Sequence, residues 1–130
     1  MVLVVASGYF NPIHKGHIEY LKRAKDLGDK LVVIVNSDLQ VVLKGSKPFM
    51  DQYERVLIVK SIRYVDDAII SIDNDKTVSK TLEMIKPDIF AKGGDRYSNE
   101  IPESGVCNKL AIKIVDGLGE KIQSSSTLLK

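Results

Sequence analysis

The chain's two histidines, His14 and His17, are the residues whose type and spacing most clearly point to chemistry. Side chains at this spacing on a helix share a face, and the first turn of a helix presents unpaired backbone N–H groups that attract anions. Imidazoles add directional donors, and Gly16 between them leaves room for a phosphate. A short apolar run ending at Ser7 and Gly8 precedes the pair. The pattern predicts a triphosphate site at the start of a helix.

Two other interpretations of the histidine pair have to be weighed. An isolated H-x-x-H is more often a surface or capping feature than a ligand site. Zinc would need further ligands, and the chain's one cysteine, Cys107, stands alone and is expected to be a small core residue. The strand and the glycine before the pair favour the phosphate site, and we expect no metal held by the protein itself.

Short β-branched runs alternate with helical periodicities along the chain. Strands are predicted at residues 2–6, 31–35, 68–72, 88–91 and 111–115, and helices at 18–27 with Gly28 as C-cap, 51–62 with Asp51 as N-cap, 78–85, 102–110 and from 124 onward. The alternation predicts an α/β fold, a Rossmann-like three-layer sandwich with a five-stranded parallel sheet, in a single domain over residues 1–130. Ligands of such sheets bind at the carboxyl ends of strands, so the loops after the first and fourth strands should meet at the site.

The composition limits the classes of protein to which the chain can belong. With 130 residues, 44% hydrophobic and 28% charged, the chain is typical of one globular domain. The formal charge of +2 is too small for a duplex nucleic-acid footprint, so no nucleic-acid partner is expected. A single cysteine favours a reducing, cytoplasmic location. No apolar run approaches the roughly 20 residues that span a membrane, and the apolar opening is too short for a signal peptide.

The loop after the second strand carries basic residues with a choice of roles. Lys44 and Lys47 flank Gly45 and Ser46, in a loop that either folds over a nucleotide, bringing positive charge to its phosphates, or is simply solvated. Arg55 either binds the phosphate of an acceptor or forms ion pairs on the surface. The residues alone leave both choices open.

Two further stretches offer groups to a ligand. Gly93 and Gly94 permit close backbone approach, and Asp95 can bind a hydroxyl, although a plain tight turn uses the same residue types. Residues 124–127, Ser-Ser-Ser-Thr, offer hydroxyls and amides to a β- or γ-phosphate, whereas helix capping needs only one of them.

With these motifs identified, the sequence resembles the cytidylyltransferase-like superfamily of nucleotidyltransferases. Its signature, a G-x-F-[DN] turn after the first strand and an H-x-G-H motif, corresponds to residues 8–11 and 14–17. Similar stretches cover nearly the whole chain: Asn-Ser-Asp at 36–38, Leu-Lys-Gly at 43–45, Glu-Arg at 54–55, Lys-Pro-Asp at 86–88, Gly-Gly-Asp-Arg at 93–96 and Gln-Ser-Ser-Ser-Thr at 123–127. The resemblance implies nucleotidyl transfer to a phosphorylated acceptor with release of pyrophosphate, a Mg²⁺ ion carried by the nucleoside triphosphate, and a homodimer.

Within the superfamily, the chain is most similar to the heptose-phosphate adenylyltransferases of lipopolysaccharide core synthesis, and next to glycerol-3-phosphate cytidylyltransferases. This implies a phosphorylated sugar or polyol as acceptor, with ATP ahead of CTP as donor. Asn11 departs from those branches, which carry Asp there, and is similar to nicotinate or nicotinamide mononucleotide adenylyltransferases. A nucleotide-binding sensor without turnover is the rival from another class. A dehydrogenase or a P-loop kinase is not expected, because neither glycine pattern is present.

The resemblance implies roles residue by residue. Catalysis is expected from His14, His17 and Lys44. The nucleotide is expected to contact Gly8, Tyr9, Phe10, Asn11, Gly16, Gly93, Gly94, Asp95, Ser124, Ser125, Ser126 and Thr127. The acceptor is expected to contact Lys47, Arg55, Arg96 and Lys121, the last in place of the arginine that cytidylyltransferases carry.

Overall fold

The computed structural model describes residues 1–93 and 102–116, which form five strands and five helices. In chain order they are β1 (Leu3–Gly8), α1 (Lys15–Lys25), β2 (Lys30–Val35), α2 (Asp38–Leu43), α3 (Gln52–Lys60), β3 (Asp67–Ile70), α4 (Ser79–Ile85), β4 (Ile89–Ala91), α5 (Ser104–Lys109) and β5 (Lys113–Val115). The strands form one sheet in the order β3-β2-β1-β4-β5, and every neighbouring pair is parallel. The predicted Rossmann-like α/β fold is confirmed.

The strand order places β1 at the centre of the sheet. β1 pairs with β2 on one side and with β4 on the other, where Val4 lies opposite Ile89 and Ala6 opposite Ala91. The strand order therefore reverses between β1 and β4, and their carboxyl ends form the crevice in which such sheets bind ligands.

Two apolar cores cover the two faces of the sheet. Val4 of β1 packs in one core with Leu21 of α1, and its neighbour Val5 packs in the other with Leu82 of α4 and Cys107 of α5. Successive residues of a strand point to opposite faces, so one strand serves both cores. Burial raises the pKa of the Cys107 thiol to about 11, and the residue is 1% exposed. Cys107 is a core residue, as predicted.

Some element ends differ from the sequence prediction for local reasons. α1 ends with Asp26 as its C-cap, and Gly28 instead packs against β1, where an added Cβ would lie 2.7 Å from a Val4 methyl. β5 begins at Lys113, because Ala111 takes a left-handed conformation at φ 58°. The helix predicted from residue 124 lies outside the described residues.

β3 ends at Ile70, earlier than the predicted residue 72. The N–H of Ile72 donates to Thr81 Oγ1 in α4 at 3.0 Å rather than continuing the ladder. Asp73 then caps α4 by accepting from the N–H groups of Lys80 and Thr81. The chain is thus diverted from the sheet to the start of the next helix.

The sequence prediction missed α2. Ser37 Oγ accepts from Gln40 N, and Gln40 Oε1 accepts from Ser37 N, which is a capping box of the S-x-x-Q type. The buried Gln40 amide also donates to the carbonyls of Asp75 and Thr77 and so ties α2 to the loop before α4. Among the described residues, no helix has the length and apolar character needed to cross a membrane.

Candidate active site

The start of α1 is built by the two histidines themselves. His14 is the N-cap residue, and its Nδ1 accepts a hydrogen bond from Gly16 N at 3.1 Å. His17 Nδ1 accepts in turn from His14 N at 3.1 Å, and the ring centroids are 4.0 Å apart. Because each Nδ1 is an acceptor, the hydrogen-bond network assigns the ring proton to Nε2. The Nε2–H of each ring is the donor left for a ligand.

His17 is uncharged at neutral pH. Burial, followed by the proximity of His14 and Lys44, lowers its pKa from 6.5 to about 4. Its ring packs edge-on against Phe10, with centroids 5.0 Å apart. A neutral imidazole held in this way donates one hydrogen bond in a fixed direction, which is what stabilisation of developing negative charge requires.

Both rings line a cavity of about 450 Å³ at the carboxyl ends of β1 and β4. The other walls come from the end of β1, the segment after α2 and the residues after β4, and they include Ser7, Gly8, Tyr9, Asn11, Gly16, Lys44, Ser46, Lys92 and Gly93. The described part of this lining contains lysines but no Asp or Glu. The loops after β1 and β4 therefore meet, as predicted, in a cavity suited to a polyanion.

Tyr20, which the sequence analysis did not single out, joins the ends of β1 and β4. Its hydroxyl accepts from Ser7 N at 3.2 Å and donates to Ala91 O at 2.5 Å. Burial raises the pKa of Tyr20 above its usual range, so the hydroxyl keeps its proton. An added Cβ on Gly93 would lie 3.3 Å from the Tyr20 ring, so this glycine lets the loop after β4 approach. The signal was the helical spacing of Tyr20 from His17.

The structure gives Phe10 a packing role that the sequence did not indicate. The Phe10 ring is 1% exposed and belongs to the core, and the residue takes a positive φ of 51°. The ring folds back over Gly8, where an added Cβ would lie 2.9 Å from Phe10 Cζ. Gly8 therefore makes room for Phe10, and the Phe10 ring supports His17. Phe10 is also among the residues that line the histidine cavity.

Asn11 fastens the loop after α2 to the turn after β1. Its Nδ2 donates to Lys47 O at 2.7 Å, and its Oδ1 accepts from Phe49 N at 2.6 Å. Lys44, the C-cap of α2, lies with its Nζ 4.2 Å from the centroid of the Tyr9 ring. The Lys47 side chain is exposed and lines neither described cavity. The end of α2 thus brings Lys44 to the cavity, and the loop that follows does not bring Lys47 to it.

The expectation that Arg55 binds the acceptor has to be corrected. Its side chain is fully buried and donates to the carbonyls of Tyr9 at 2.8 Å, Asn36 at 2.7 Å and Met50 at 3.0 Å. Its Nη2 forms a salt bridge with Asp38 Oδ1 at 2.6 Å. Arg55 therefore joins the residues that directly follow β1 and β2, Tyr9 and Asn36, to α2 and α3, and it lines neither described cavity.

A second cavity of about 570 Å³ adjoins the first. The two share six residues, which are Ser7, Gly8, Tyr9, Lys44, Lys92 and Gly93. Asn36, Lys76, Thr77 and Glu103 are among the residues that line the second cavity alone. The cavities are two halves of one cleft along the edge of the sheet, with Lys44 and Lys92 at the wall between them.

The remaining predicted site residues lie outside the described residues. They are Gly94, Asp95, Arg96, Lys121, Ser124, Ser125, Ser126 and Thr127. Over residues 1–93 and 102–116, no group of three or more His, Cys, Asp or Glu side chains is arranged to hold a metal ion.

The sequence matches known proteins over nearly its whole length. Residues 5–130 match the family described as cytidylyltransferase-like. The chain is 35% identical over 134 residues to the FAD synthase of Thermoplasma volcanium, covering 100% of this chain and 93% of that protein. It is 36% identical over 116 residues to the bifunctional protein HldE of a Nitratiruptor species, covering 88% of this chain but only 24% of HldE.

A solved structure shares the fold. The crystal structure of the lipopolysaccharide core biosynthesis protein from Thermoplasma volcanium matches with a TM-score of 0.77 at 36% identity, covering 89% of this chain and 95% of that one. The match in sequence and the match in structure thus extend over the elements that carry the cleft.

Proposed function

This chain belongs to the cytidylyltransferase-like family and is a nucleotidyltransferase, and from that premise we propose that it transfers the adenylyl group of ATP to the phosphate of FMN, forming FAD and pyrophosphate. One observation carries the chemistry. Two imidazoles whose Nδ1 atoms are engaged in the helix cap have their Nε2–H donors left for a ligand, in a cavity that Lys44 and Lys92 also line.

The proposed reaction is a direct in-line displacement. A phosphate oxygen of the acceptor forms a bond to the α-phosphorus as the bond from that phosphorus to the bridging oxygen of the β-phosphate breaks, and pyrophosphate leaves with the electron pair. His14 and His17 donate hydrogen bonds to oxygens on which negative charge increases, and Lys44 adds positive charge. The acceptor phosphate is already anionic, so no general base has to remove a proton.

The described residues favour this direct route over a covalent enzyme intermediate. The Tyr20 hydroxyl is engaged with Ser7 and Ala91, and the Cys107 thiol lies in the core with a raised pKa. The Ser7 side chain lines the cavity, but the nearby histidines have their Nδ1 atoms engaged in the helix cap. An activated nucleophile needs a base within hydrogen-bond reach, and the described cavity residues do not form such a pair.

A Mg²⁺ ion is proposed to arrive with the triphosphate. The described lining of the histidine cavity has no carboxylate, so the side chains fit an ion whose ligands are phosphate oxygens and water rather than a protein cage. When bound, the ion neutralises part of the charge of the triphosphate. The histidines and Lys44 would add hydrogen bonds and positive charge to the same phosphates.

The acceptor is proposed from a relative of matching length. FAD is FMN joined to AMP through a pyrophosphate linkage, so a FAD synthase that uses ATP acts on the phosphate of FMN. The chain covers 93% of the Thermoplasma volcanium FAD synthase, whereas it covers only 24% of HldE. The second cavity, at about 570 Å³, has the size of a small-molecule site and adjoins the wall at which the phosphates would react. FMN thereby replaces a sugar or polyol phosphate as the first candidate.

A heptose phosphate is the second candidate acceptor. It is favoured by the similarity to HldE and to the lipopolysaccharide core biosynthesis protein, which is 36% identical with a TM-score of 0.77. The same histidines and lysines would act on its phosphate, and only the contents of the second cavity would differ.

The proposal is tested by a matrix of donors and acceptors. ATP, CTP, GTP and UTP are each paired with FMN, heptose phosphate, glycerol-3-phosphate and nicotinamide mononucleotide, and pyrophosphate release is measured. We expect release with ATP and FMN, with FAD as the second product. Release with heptose phosphate alone would favour the second candidate. Nucleotide binding without release from any pair would favour a sensor.

The homodimer implied by the family resemblance stays a prediction. Cyclic dimers are the commonest symmetric assembly of soluble proteins. We expect light scattering at micromolar concentration to report a dimer. A fully active monomer would contradict this expectation.

A further inference from the structure

Glu103 is a buried acid that the proposed transfer does not use. It lies just before α5, is 4% exposed, and its Oε2 accepts a hydrogen bond from Val78 N at 2.9 Å. Its Oε1 is buried and has no hydrogen-bond partner among the described residues. Buried carboxylate oxygens are nearly always paired, because an unpaired one loses its hydration without compensation. Glu103 also lines the adjoining cavity, so a ligand there can supply the partner once the Glu103 side chain turns Oε1 toward it.

Glu103 lines the second cavity and not the first. Lys76 also lines the second cavity, but His14 and His17 lie in the first, and Lys44 and Lys92 lie at the wall that both cavities share, so the reacting phosphates are placed at that wall. A carboxylate repels a phosphate, so the acceptor would keep its phosphate away from Glu103. The part of the acceptor that reaches Glu103 would then be neutral and would carry a hydrogen-bond donor.

We propose that Glu103 Oε1 accepts a hydrogen bond from a ring N–H of the acceptor and so selects acceptors that carry this donor at the end remote from their phosphate. The inference rests on the proposed function. In oxidised FMN, the N3–H group is the ring donor of the isoalloxazine. A buried acceptor oxygen rejects analogues that lack the donor, because the oxygen then stays unpaired in the complex.

The first test replaces Glu103 by glutamine. In Glu103→Gln the amide oxygen keeps the hydrogen bond from Val78 N, and the amide NH₂ group takes the position of Oε1. The NH₂ group is a donor and cannot accept a hydrogen bond from the ring N–H of the ligand. We expect the Kd for FMN, measured by quenching of flavin fluorescence, to rise about 10- to 100-fold, the effect typical of a lost hydrogen bond to a charged group. The KM for ATP should be unchanged. Glu83→Gln removes an exposed carboxylate of the neighbouring α4 and should change neither value.

The second test changes the ligand instead of the protein. 3-Methyl-FMN lacks the N3–H donor, so we expect the wild-type protein to bind it about 10- to 100-fold more weakly than FMN. Glu103→Gln should discriminate between the two flavins much less. This comparison needs only the wild-type protein for its first half, so it stands even where the variant fails to fold.

The outcomes separate the two proposals. If the wild-type protein releases pyrophosphate with ATP and FMN but Glu103→Gln binds FMN as tightly, or the wild type binds both flavins equally, the Glu103 assignment alone is wrong. If the loss in Glu103→Gln appears in the KM for ATP, Glu103 serves the nucleotide and the assignment is again wrong. If the wild-type protein neither binds nor uses FMN, the proposed acceptor is wrong and the Glu103 assignment falls with it.

Discussion

The start of α1 and the cluster around Arg55 both contact the turn after β1, and they use their polar groups in opposite ways. At the start of α1, His14 and His17 cap the helix with Nδ1 and keep Nε2–H for a ligand. In the Arg55 cluster, the guanidinium donates hydrogen bonds to three carbonyls and forms a salt bridge with Asp38. One region has hydrogen-bonding capacity left over, and the other has used it within the fold.

The difference offers a criterion for separating candidate binding residues from structural ones. Both regions contain charged or ionisable side chains within motifs typical of the family, so residue type does not distinguish them. The two regions are distinguished by the number of hydrogen-bond donors that are already paired inside the protein. Loss of a histidine should therefore reduce turnover more than stability, and loss of Arg55 should reduce stability first.

The largest expected effect is on stability in Arg55→Leu. The variant leaves one buried carbonyl, two partly buried carbonyls and the Asp38 carboxylate without their donor, and we expect a loss of about 3 kcal/mol in the free energy of unfolding, measured by urea denaturation. The lower end of the range for broken buried pairs applies, because the Asp38 side chain is 36% exposed. Lys60→Met is the control, because it breaks only the surface ion pair between Lys60 and Asp67, whose atoms are 3.5 Å apart. It should lower the free energy of unfolding by less than about 1 kcal/mol.

The contrary result for Arg55 is equally specific. If Arg55→Leu unfolds like the wild-type protein but binds the acceptor weakly, the side chain reaches a ligand after all. The assignment from the sequence would then be restored, and the contrast between the two regions would fail.

The next effect is on turnover in His14→Asn. Asn is a good N-cap residue whose side-chain oxygen replaces Nδ1 as the acceptor from Gly16 N, but it has no counterpart of Nε2–H. We expect pyrophosphate release to fall on the order of 100-fold with stability nearly unchanged. His14→Ala, the matched control, loses the cap as well and should be about 1 kcal/mol less stable. Wild-type turnover in a folded His14→Asn would remove Nε2–H from the mechanism.

Much of the fold and part of the site were predictable from the sequence. The β-branched runs predicted the strands because a parallel sheet buries both faces, and the glycine and histidine spacing predicted a helix start whose two histidines lie at a cavity after β1. That a phosphate binds there stays a prediction. Arg55 was misassigned because three of its four hydrogen-bond partners are backbone carbonyls, which a sequence does not display. A signal was nevertheless present, since Arg55 lies one helical turn before the buried Val59, on the apolar face of α3.

Other parts could not be predicted for physical reasons. Tyr20 acts by bridging two strand ends that are distant in the chain, and the unpaired Oε1 of Glu103 depends on how α4 and α5 pack. Both depend on contacts between distant parts of the chain. The short α2 was predictable from its capping box but was obscured by the loop motifs on either side of it.

The third effect is a pH dependence of stability that arises from His17. Its pKa is about 4 in the folded protein and 6.5 when the side chain is solvated, so between these values the unfolded chain binds more protons. Stability should be fully present above the unfolded value and decline as the pH falls through this window. His17→Asn keeps an acceptor for His14 N but does not titrate, so its urea midpoint should decline less. Equal declines for both proteins would show that His17 has an ordinary pKa.

The smallest expected effect is in Asn11→Asp. The aspartate still accepts from Phe49 N but cannot donate to Lys47 O, so we expect a loss of about 1 kcal/mol and faster hydrogen exchange in the loop after α2. Asn11→Ala removes both bonds and should also speed exchange of the Phe49 amide. An unchanged exchange rate in both variants would mean that the loop is held by other contacts.

The central claim, that both histidines present Nε2–H donors, is tested most directly by ¹⁵N NMR of the imidazoles. The chain has only two histidines, so both sets of ring signals can be assigned from the His14→Asn and His17→Asn variants. We expect the Nε2–H tautomer for both rings at neutral pH, no protonation of His17 near its usual pKa, and shifts of both Nε2–H signals when ATP binds. The Nδ1–H tautomer in either ring, or Nε2–H signals whose chemical shifts do not change when ATP is added, would contradict the account.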